Sequence, residues 1–134
     1  MDQRAIILVV DDASANLQLC KGLLGDIYDI RLAKSGKMAL EALKKVRPDL
    51  ILLDIEMPDM SGFEVMDAMN KNPDYKDISV IFVTSHATEK LVVKAVEHGA
   101  VDYVVKPFDA NVLRTRIQEV LNAKCKSEKM IVEK

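Results

Sequence analysis

Four short apolar runs, each ended by a charged or hydroxyl residue, constrain the fold of this chain more than any other feature. The runs are residues 5–10, 50–53, 80–83 and 103–105. The residues that follow them are, in order, Asp11 with Asp12, Asp54, Thr84 and Lys106. Runs that are apolar at every position are typical of strands covered on both faces, as in a parallel sheet. Residues 28–33 instead alternate between apolar and polar, which predicts a half-exposed edge strand.

Between these runs the apolar residues recur every three or four positions, which predicts helices. Ser61 and Glu64 have the spacing of a capping box and predict a helix from Phe63 to about Met69. A fourth helix is predicted to face the core with Val92, Ala95 and Val96, and to end at Gly99. Asp109 is a predicted N-cap for a fifth helix.

A strand followed by a helix therefore occurs five times in the 134 residues. Strict alternation of this kind predicts an α/β fold with right-handed crossovers and helices on both faces of a parallel sheet. The length fits one domain. We place that domain at residues 1–122 and interpret residues 123–134 as a C-terminal tail or linker stub.

The charge balance excludes several classes of function. Lys and Arg number 19 against 21 Asp and Glu, for a formal net charge of -2. Unaided binding to nucleic acid or to an anionic membrane would require a basic excess. No apolar run approaches the roughly 20 residues that span a bilayer, and the N-terminus lacks the pattern of a signal peptide. We expect a cytoplasmic domain with no direct contact to nucleic acid or membrane.

The polar residues that end the strands are expected to meet. In a parallel sheet, the carboxyl ends of the strands share one edge, and ligands bind there at the topological switch point. If the first and third strands are neighbours, Asp11, Asp12 and Asp54 converge on one cleft with only Lys106 to balance them. Each like-charge pair costs on the order of several kcal/mol at intermediate dielectric. A divalent cation with oxygen ligands relieves that cost, and the few carboxylates point to Mg²⁺.

Beside a metal ion, Asp54 can act as a nucleophile, since attack of aspartate on phosphorus gives an acyl phosphate. The transferred phosphoryl group needs positive or hydrogen-bonding groups at its equatorial oxygens. Lys106 offers an ammonium group and Thr84 a hydroxyl, and the small Ser85 leaves the backbone N–H after Thr84 reachable. The sequence therefore contains the residue types of a complete phosphoryl site.

Taken together and in order, these motifs resemble the receiver domain of two-component response regulators. They are Asp11-Asp12, the segment 53–62 that contains Asp54, Thr84-Ser85 and Lys106-Pro107. The resemblance covers roughly residues 5–122. It implies a doubly wound, five-stranded parallel sheet of order 2-1-3-4-5 with five helices, the flavodoxin-like or CheY-like fold.

The resemblance also implies roles for the residues of the cleft. Asp54 would be phosphorylated by a partner histidine kinase or phosphotransfer protein. Mg²⁺ would be bound by Asp12, Asp54 and the backbone carbonyl of Glu56, with Asp11 helping through water. Lys106 would contact the phosphoryl group together with Thr84.

Tyr103 matches the family's switch aromatic, which turns inward as Thr84 moves toward the phosphoryl group. The face formed by the fourth helix, fifth strand and fifth helix would then change its affinity for a downstream protein, an output domain or a second copy of the chain. Glu56 and His86 occupy positions that vary in the family and tune its chemistry. We hypothesise that they set the lifetime of the phosphorylated form.

The sequence is also compatible with other classes of function. One alternative is a receiver-like interaction module that works without phosphorylation. A Mg²⁺-dependent aspartate-nucleophile phosphatase fits less well, because the usual Asp-x-Asp is replaced by Asp11-Asp12-Ala13. A flavin carrier would need a Gly-rich loop at residues 13–16, and a nucleotide hydrolase would need a P-loop, which the chain lacks. Residues 12–24 look like receivers attached to cyclic-dinucleotide enzymes or hybrid kinases.

Overall fold

The computed structural model describes residues 4–85, 88–106 and 109–132, and side chains as far as residue 123. Within these residues strands and helices alternate along the chain. The strands are β1 (Ile6–Val10), β2 (Asp29–Ala33), β3 (Leu50–Asp54), β4 (Ser79–Thr84) and β5 (Asp102–Val105). The α-helices are α1 (Ser14–Leu24), α2 (Gly36–Leu43), α3 (Gly62–Asn70), α4 (Glu89–Glu97) and α5 (Ala110–Val132), with a short 3-10 turn at Pro73–Tyr75.

The strands form one parallel sheet of order β2-β1-β3-β4-β5, which confirms the predicted fold. The chain runs from β1 outward to β2, then returns to β3 on the other side of β1. This reversal is the switch point of a doubly wound sheet. Val10 pairs with Leu53, and Asp54 pairs with Val83, so β1, β3 and β4 end nearly level. The residues that follow these strands therefore share one edge.

Between their ends the central strands are apolar at every position, because their side chains pack into two cores, one on each face of the sheet. In β3, Ile51 and Leu53 join a cluster with residues of α2 and α3, while Leu50 and Leu52 join a cluster with residues of α1 and α5. All four side chains are buried. Successive residues of a strand point to opposite faces, so a sheet covered on both sides needs no polar positions.

The predicted edge strand is confirmed. β2 pairs with β1 alone among the described strands. Its polar Arg31 is exposed, whereas Ile30 and Leu32 pack partly buried against the α1–α5 side of the core. The alternating pattern therefore reports one covered and one solvated face.

α4 agrees with the prediction at its end but not along its whole face. Gly99 adopts a φ of 96°, and the N–H groups of Gly99 and Ala100 donate to the carbonyls of Val96 and Ala95 at 3.0 and 3.1 Å. These bonds are the Schellman pattern that ends many helices. The prediction that Val96 faces the core is wrong, because Ala95 and Leu91 make the contact and leave Val96 67% exposed.

Side chains cap the starts of α3 and α5. Ser61 Oγ accepts a hydrogen bond from the backbone N–H of Glu64 at 3.2 Å, so α3 begins at Gly62, one residue before its predicted start. Asp109 Oδ1 accepts from the N–H of Asn111 at 2.7 Å. α5 continues to Val132, past the predicted domain boundary at residue 122, which stays a prediction. No helix in the described part of the chain is long and apolar enough to cross a bilayer.

Gly62 should tolerate no side chain, because α3 starts in direct contact with β3 and β4. A Cβ there would lie 2.6 Å from the carbonyl oxygen of Asp54 and 3.1 Å from the ring of Phe82. We expect Gly62→Ala to lower the free energy of unfolding by about 1–3 kcal/mol, the usual cost of overpacking. Urea denaturation measures the change.

Gly22→Ala is the matched control, since a Cβ at Gly22, inside α1, meets nothing within 4 Å. That substitution should stabilise the domain by about 0.5–1 kcal/mol. Equal effects of the two substitutions would contradict the close approach of α3 to the sheet.

Candidate functional site

The three predicted carboxylates meet at the carboxyl edge of the sheet. Asp11 and Asp12 follow β1, and Asp54 is the last residue of the neighbouring β3. One side-chain oxygen from each lies within 4.8 Å of the others. Asp11 and Asp54 are each 5% exposed, whereas Asp12 is open to solvent. The cluster is therefore a cleft with two buried walls and one accessible acidic group.

Lys106 supplies the balancing positive charge. Its Nζ donates to Asp11 Oδ2 at 2.7 Å and lies 3.4 Å from Asp54 Oδ2. Its backbone N–H donates to the carbonyl of Thr84 at 2.7 Å, which fixes the position of the residue next to β4. Burial alone would lower the pKa of Lys106, but the two carboxylates outweigh burial and raise it. The ammonium group is therefore held in its charged form between two acids.

The surroundings of Asp54 disfavour its ionised form. Its pKa is raised to about 6, chiefly by burial and also by the nearby Asp11, against the lowering influence of Lys106 and of the Glu56 N–H. That N–H donates to Asp54 Oδ1 at 3.2 Å. The protein thus compensates the negative charge of the Asp54 carboxylate only in part.

Asp11 is held by three donors among the described residues. Its Oδ1 accepts from the N–H of Ala13 at 2.9 Å. Its Oδ2 accepts from Lys106 and also from the side-chain amide of Asn16, at 3.1 Å. This carboxylate is therefore more fixed in orientation than either of its acidic neighbours.

The remaining predicted site residues lie on the same edge or beside it. Thr84 ends β4 and is 2% exposed, and Ser85 follows it at the surface. Tyr103 lies on β5 opposite Phe82 and is 37% exposed. His86, like Pro107 of the Lys106-Pro107 motif, lies outside the described residues.

Two residues that the sequence analysis did not single out support the site. Asn16 contacts Asp11, as described above. Asp59, in the loop after β3, accepts from the N–H groups of Gly36 and Lys37 at 3.5 and 3.3 Å, and so caps the start of α2. The available signal for Asn16 was a polar residue in the first turn of the helix that follows Asp11 and Asp12. Asp59 gave none, because its partners are 22 and 23 positions away.

The donor set of the cleft fits a hard divalent cation. Its ligands would be oxygens from a few carboxylates, with an open side at Asp12. Mg²⁺ is usually bound by one or two carboxylates, waters and a phosphate oxygen, since it dehydrates reluctantly. A cation would also offset the repulsion between Asp11 and Asp54. The geometry thus suits a site in which a metal ion and a phosphoryl group are bound side by side.

Comparison with known proteins agrees with this geometry. Residues 7–118 match the family model described as response regulator receiver domain. A signal receiver domain of a putative LuxO repressor protein from Vibrio parahaemolyticus superposes with a TM-score of 0.87 at 35% identity, covering 96% of this chain and 97% of that one. The chemotaxis protein CheY4 of Vibrio cholerae superposes with a TM-score of 0.84 at 31% identity, covering 87% and 98%. This chain belongs to the receiver domain family of two-component response regulators.

The curated relatives are longer proteins. A probable cyclic di-GMP phosphodiesterase from Vibrio cholerae is 42% identical over 118 residues, which are 88% of this chain but 27% of that protein. The chain spans about a quarter of the length of the first curated relatives it matches. The shared part is the receiver domain, whose family is a class of signalling switches.

The raised pKa of Asp54 predicts that the stability of the domain depends on pH. Its folded pKa of about 6 lies above the ordinary value of 3.8 for an aspartate, so between these pH values the folded state holds a proton that the unfolded state releases. Stability from this group is present at low pH and is lost as pH rises from about 4 through 6. Asp54→Asn should therefore unfold at higher urea than the parent at pH 7.5 in EDTA, and the gap should close toward pH 4.5.

Asp29→Asn is the control, because Asp29 forms an ion pair with Arg31 on the outer strand. We expect no gain in stability from that change at pH 7.5. If the parent is as stable as Asp54→Asn at pH 7.5 without metal, the raised pKa of Asp54 is contradicted.

Proposed function

We propose that Asp54 accepts a phosphoryl group from a partner histidine kinase or phosphotransfer protein in a Mg²⁺-dependent reaction. The observation that carries this proposal is the position of Asp54 at the end of β3, with Lys106 Nζ at 3.4 Å and a cluster of carboxylates suited to a cation beside it. In the transfer, an Asp54 oxygen forms a bond to phosphorus while the bond from phosphorus to the donor imidazole nitrogen breaks. The electron pair of that bond returns to the imidazole. We place the exchange in the cytoplasm, where ATP is available to kinases.

The proposed metal ligands are the carboxylates of Asp12 and Asp54 and the backbone carbonyl of Glu56, with Asp11 acting through water. When bound, Mg²⁺ would screen the negative charge of the incoming phosphoryl group. Asp12 suits the role of first ligand because it is the exposed member of the cluster. Asp11 suits an indirect role because Lys106 and Asn16 already occupy its Oδ2.

Lys106 and Thr84 would stabilise the phosphoryl group through its equatorial oxygens. Lys106 needs little movement, since it already lies between Asp11 and Asp54. The Thr84 hydroxyl would donate from the end of β4, and the backbone N–H of Ser85 would add a second donor. These groups position and neutralise the phosphoryl group rather than turn over a substrate, so the domain acts as a switch.

The output of the switch would be a change in the surface of α4, β5 and α5. This surface carries exposed apolar side chains available to a protein partner: Val96, Val101, Tyr103, Val105 and Val112. Thr84 pairs with Val105, and Phe82 pairs with Tyr103. A movement of Thr84 would therefore displace its direct neighbour on β5. Phosphorylation would shift a two-state equilibrium toward the state in which Tyr103 is turned inward. In that state the surface would bind a downstream protein, an output domain or a second copy of the chain.

The first test is phosphorylation by a small donor. Incubation with acetyl phosphate and Mg²⁺ should add one base-labile phosphoryl group, seen by intact mass and by a phosphate-affinity gel. EDTA should prevent the addition, because the cluster then lacks its cation. Asp54→Asn should show no adduct, since the amide is not a nucleophile at this site.

The control is Asp74→Asn, which removes a carboxylate in the surface turn before β4 and should leave the adduct unchanged. Full phosphorylation of Asp54→Asn would show that the acceptor is another residue. The absence of any adduct together with no binding of beryllofluoride would favour an interaction module that works without phosphorylation.

Glu56 and His86 should set the lifetime of the phosphorylated form. Glu56 follows Asp54 by two residues, so its carboxylate can order the water that attacks the acyl phosphate. His86 follows Thr84 by the same spacing, and imidazole titrates near neutral pH. We expect Glu56→Ala and His86→Ala each to change the rate of phosphate loss severalfold, measured by the decay of the adduct after donor removal.

Glu41→Ala serves as the control for the lifetime experiment, since Glu41 is an exposed residue of α2. Its adduct should decay at the parental rate. Unchanged decay in both the Glu56 and His86 variants would remove them from the set of tuning residues.

A further inference from the structure

We propose that Asn16 is a positioning residue of the cation site, which acts by holding the carboxylate of Asp11 in one orientation. The inference rests on the proposed function, because it assigns Asn16 a part in the binding of Mg²⁺. It starts from one contact: the side-chain amide of Asn16 donates to Asp11 Oδ2 at 3.1 Å.

The hydrogen bonds at Asp11 leave one direction for a further ligand. An ionised carboxylate has about four lone-pair sites, two on each oxygen. Oδ2 accepts from both Lys106 and Asn16, and Oδ1 accepts from the N–H of Ala13. The remaining capacity therefore lies on Oδ1, and Asn16 is the group that takes the second site on Oδ2.

A neutral amide is well suited to this position. Asn16 is the third residue of α1, partly buried, and its own backbone N–H donates to the carbonyl of Ala13 at 3.1 Å. A cationic side chain there would compete with the metal ion, and an acidic one would add a fourth negative charge. The amide supplies a donor to Asp11 without changing the charge of the cleft.

The first expected result concerns metal affinity. Outer partners of metal-binding groups typically contribute tenfold or more to affinity. Because Asp11 acts through water, Asn16 is one step further from the ion, and Asn16→Ala should weaken Mg²⁺ binding by about three- to tenfold. The melting temperature should change little, because one partly exposed hydrogen bond is lost. A titration with MgCl₂ followed by amide NMR shifts measures the dissociation constant.

Asn16→Asp separates this role from a merely structural one by the sign of its effect. If Asn16 only occupied the helix surface, an acid in the first turn would interact well with the helix dipole and raise the melting temperature. If its amide holds Asp11, the substitution places two carboxylates in contact and lowers the melting temperature in EDTA. Mg²⁺ should then raise the melting temperature of this variant more than that of the parent.

Gln18→Ala and Gln18→Glu are the matched controls, since Gln18 is an exposed amide two residues further along α1. Both should bind Mg²⁺ as the parent does. The inference is overturned if Asn16→Ala binds Mg²⁺ within twofold of the parent, or if Asn16→Asp is at least as stable as the parent in EDTA.

The proposed cation site and the role of Asn16 can be disproved separately. If the parent chain itself shows no Mg²⁺-dependent shifts, the proposed cation site is wrong, and the role of Asn16 falls with it. If the parent binds Mg²⁺ and is phosphorylated at Asp54 while Asn16→Ala behaves as the parent does, the role of Asn16 alone is wrong.

Discussion

The ion pairs of Lys106 with Asp11 and Asp54 are the interactions on which the rest of the site depends. Burial of two carboxylates at 5% exposure would be prohibitive without a nearby positive charge. A single ammonium group at 2.7 and 3.4 Å makes that burial tolerable, yet leaves the cluster negative. The residual negative charge suits the cleft to a cation, and burial of Asp54 is the main reason that its pKa rises to about 6.

The sheet produces this charge cluster through topology rather than through any local motif. Asp11 and Asp54 are far apart in the chain, and they meet because β3 returns to the free side of β1. Gly62 then lets α3 begin against the carbonyl of Asp54, which closes the loop that carries Glu56 and Asp59. The N–H of Gly62 donates to the carbonyl of Ile55 at 2.8 Å and ties the same loop down. Asp54 thereby lies directly against the start of α3, and the residue that follows it is bonded to the same helix.

The sequence predicted the strands, their order by resemblance, and the residues at their ends, because apolar runs and abrupt polar stops are local signals. The prediction from sequence failed where packing against other parts of the chain decides whether a side chain is buried or which group it contacts. Val96 has a helical spacing that suits the core, but Ala95 makes the contact and Val96 is left in solvent. Asn16 and Asp59 are ordinary polar residues by pattern. The turn from β1 into α1 brings Asn16 to Asp11, five positions earlier, whereas the partners of Asp59 are far away in the chain and only the folded protein brings them near. His86 lies outside the described residues, so its role stays a prediction.

On the proposed function, the arrangement of Lys106 explains how one added group can alter a distant surface. Lys106 divides its hydrogen-bonding capacity between two acids, and its backbone is bonded to Thr84, the last residue of β4. A phosphoryl group on Asp54 would add negative charge at one of the two acids that Lys106 contacts. It would draw Lys106 and Thr84 toward Asp54. Since Thr84 pairs with Val105 on β5, the same displacement would reach the strand that carries the partly exposed Tyr103. The charge balance of the cleft and the proposed output surface would thus be linked through the adjacent strands β4 and β5.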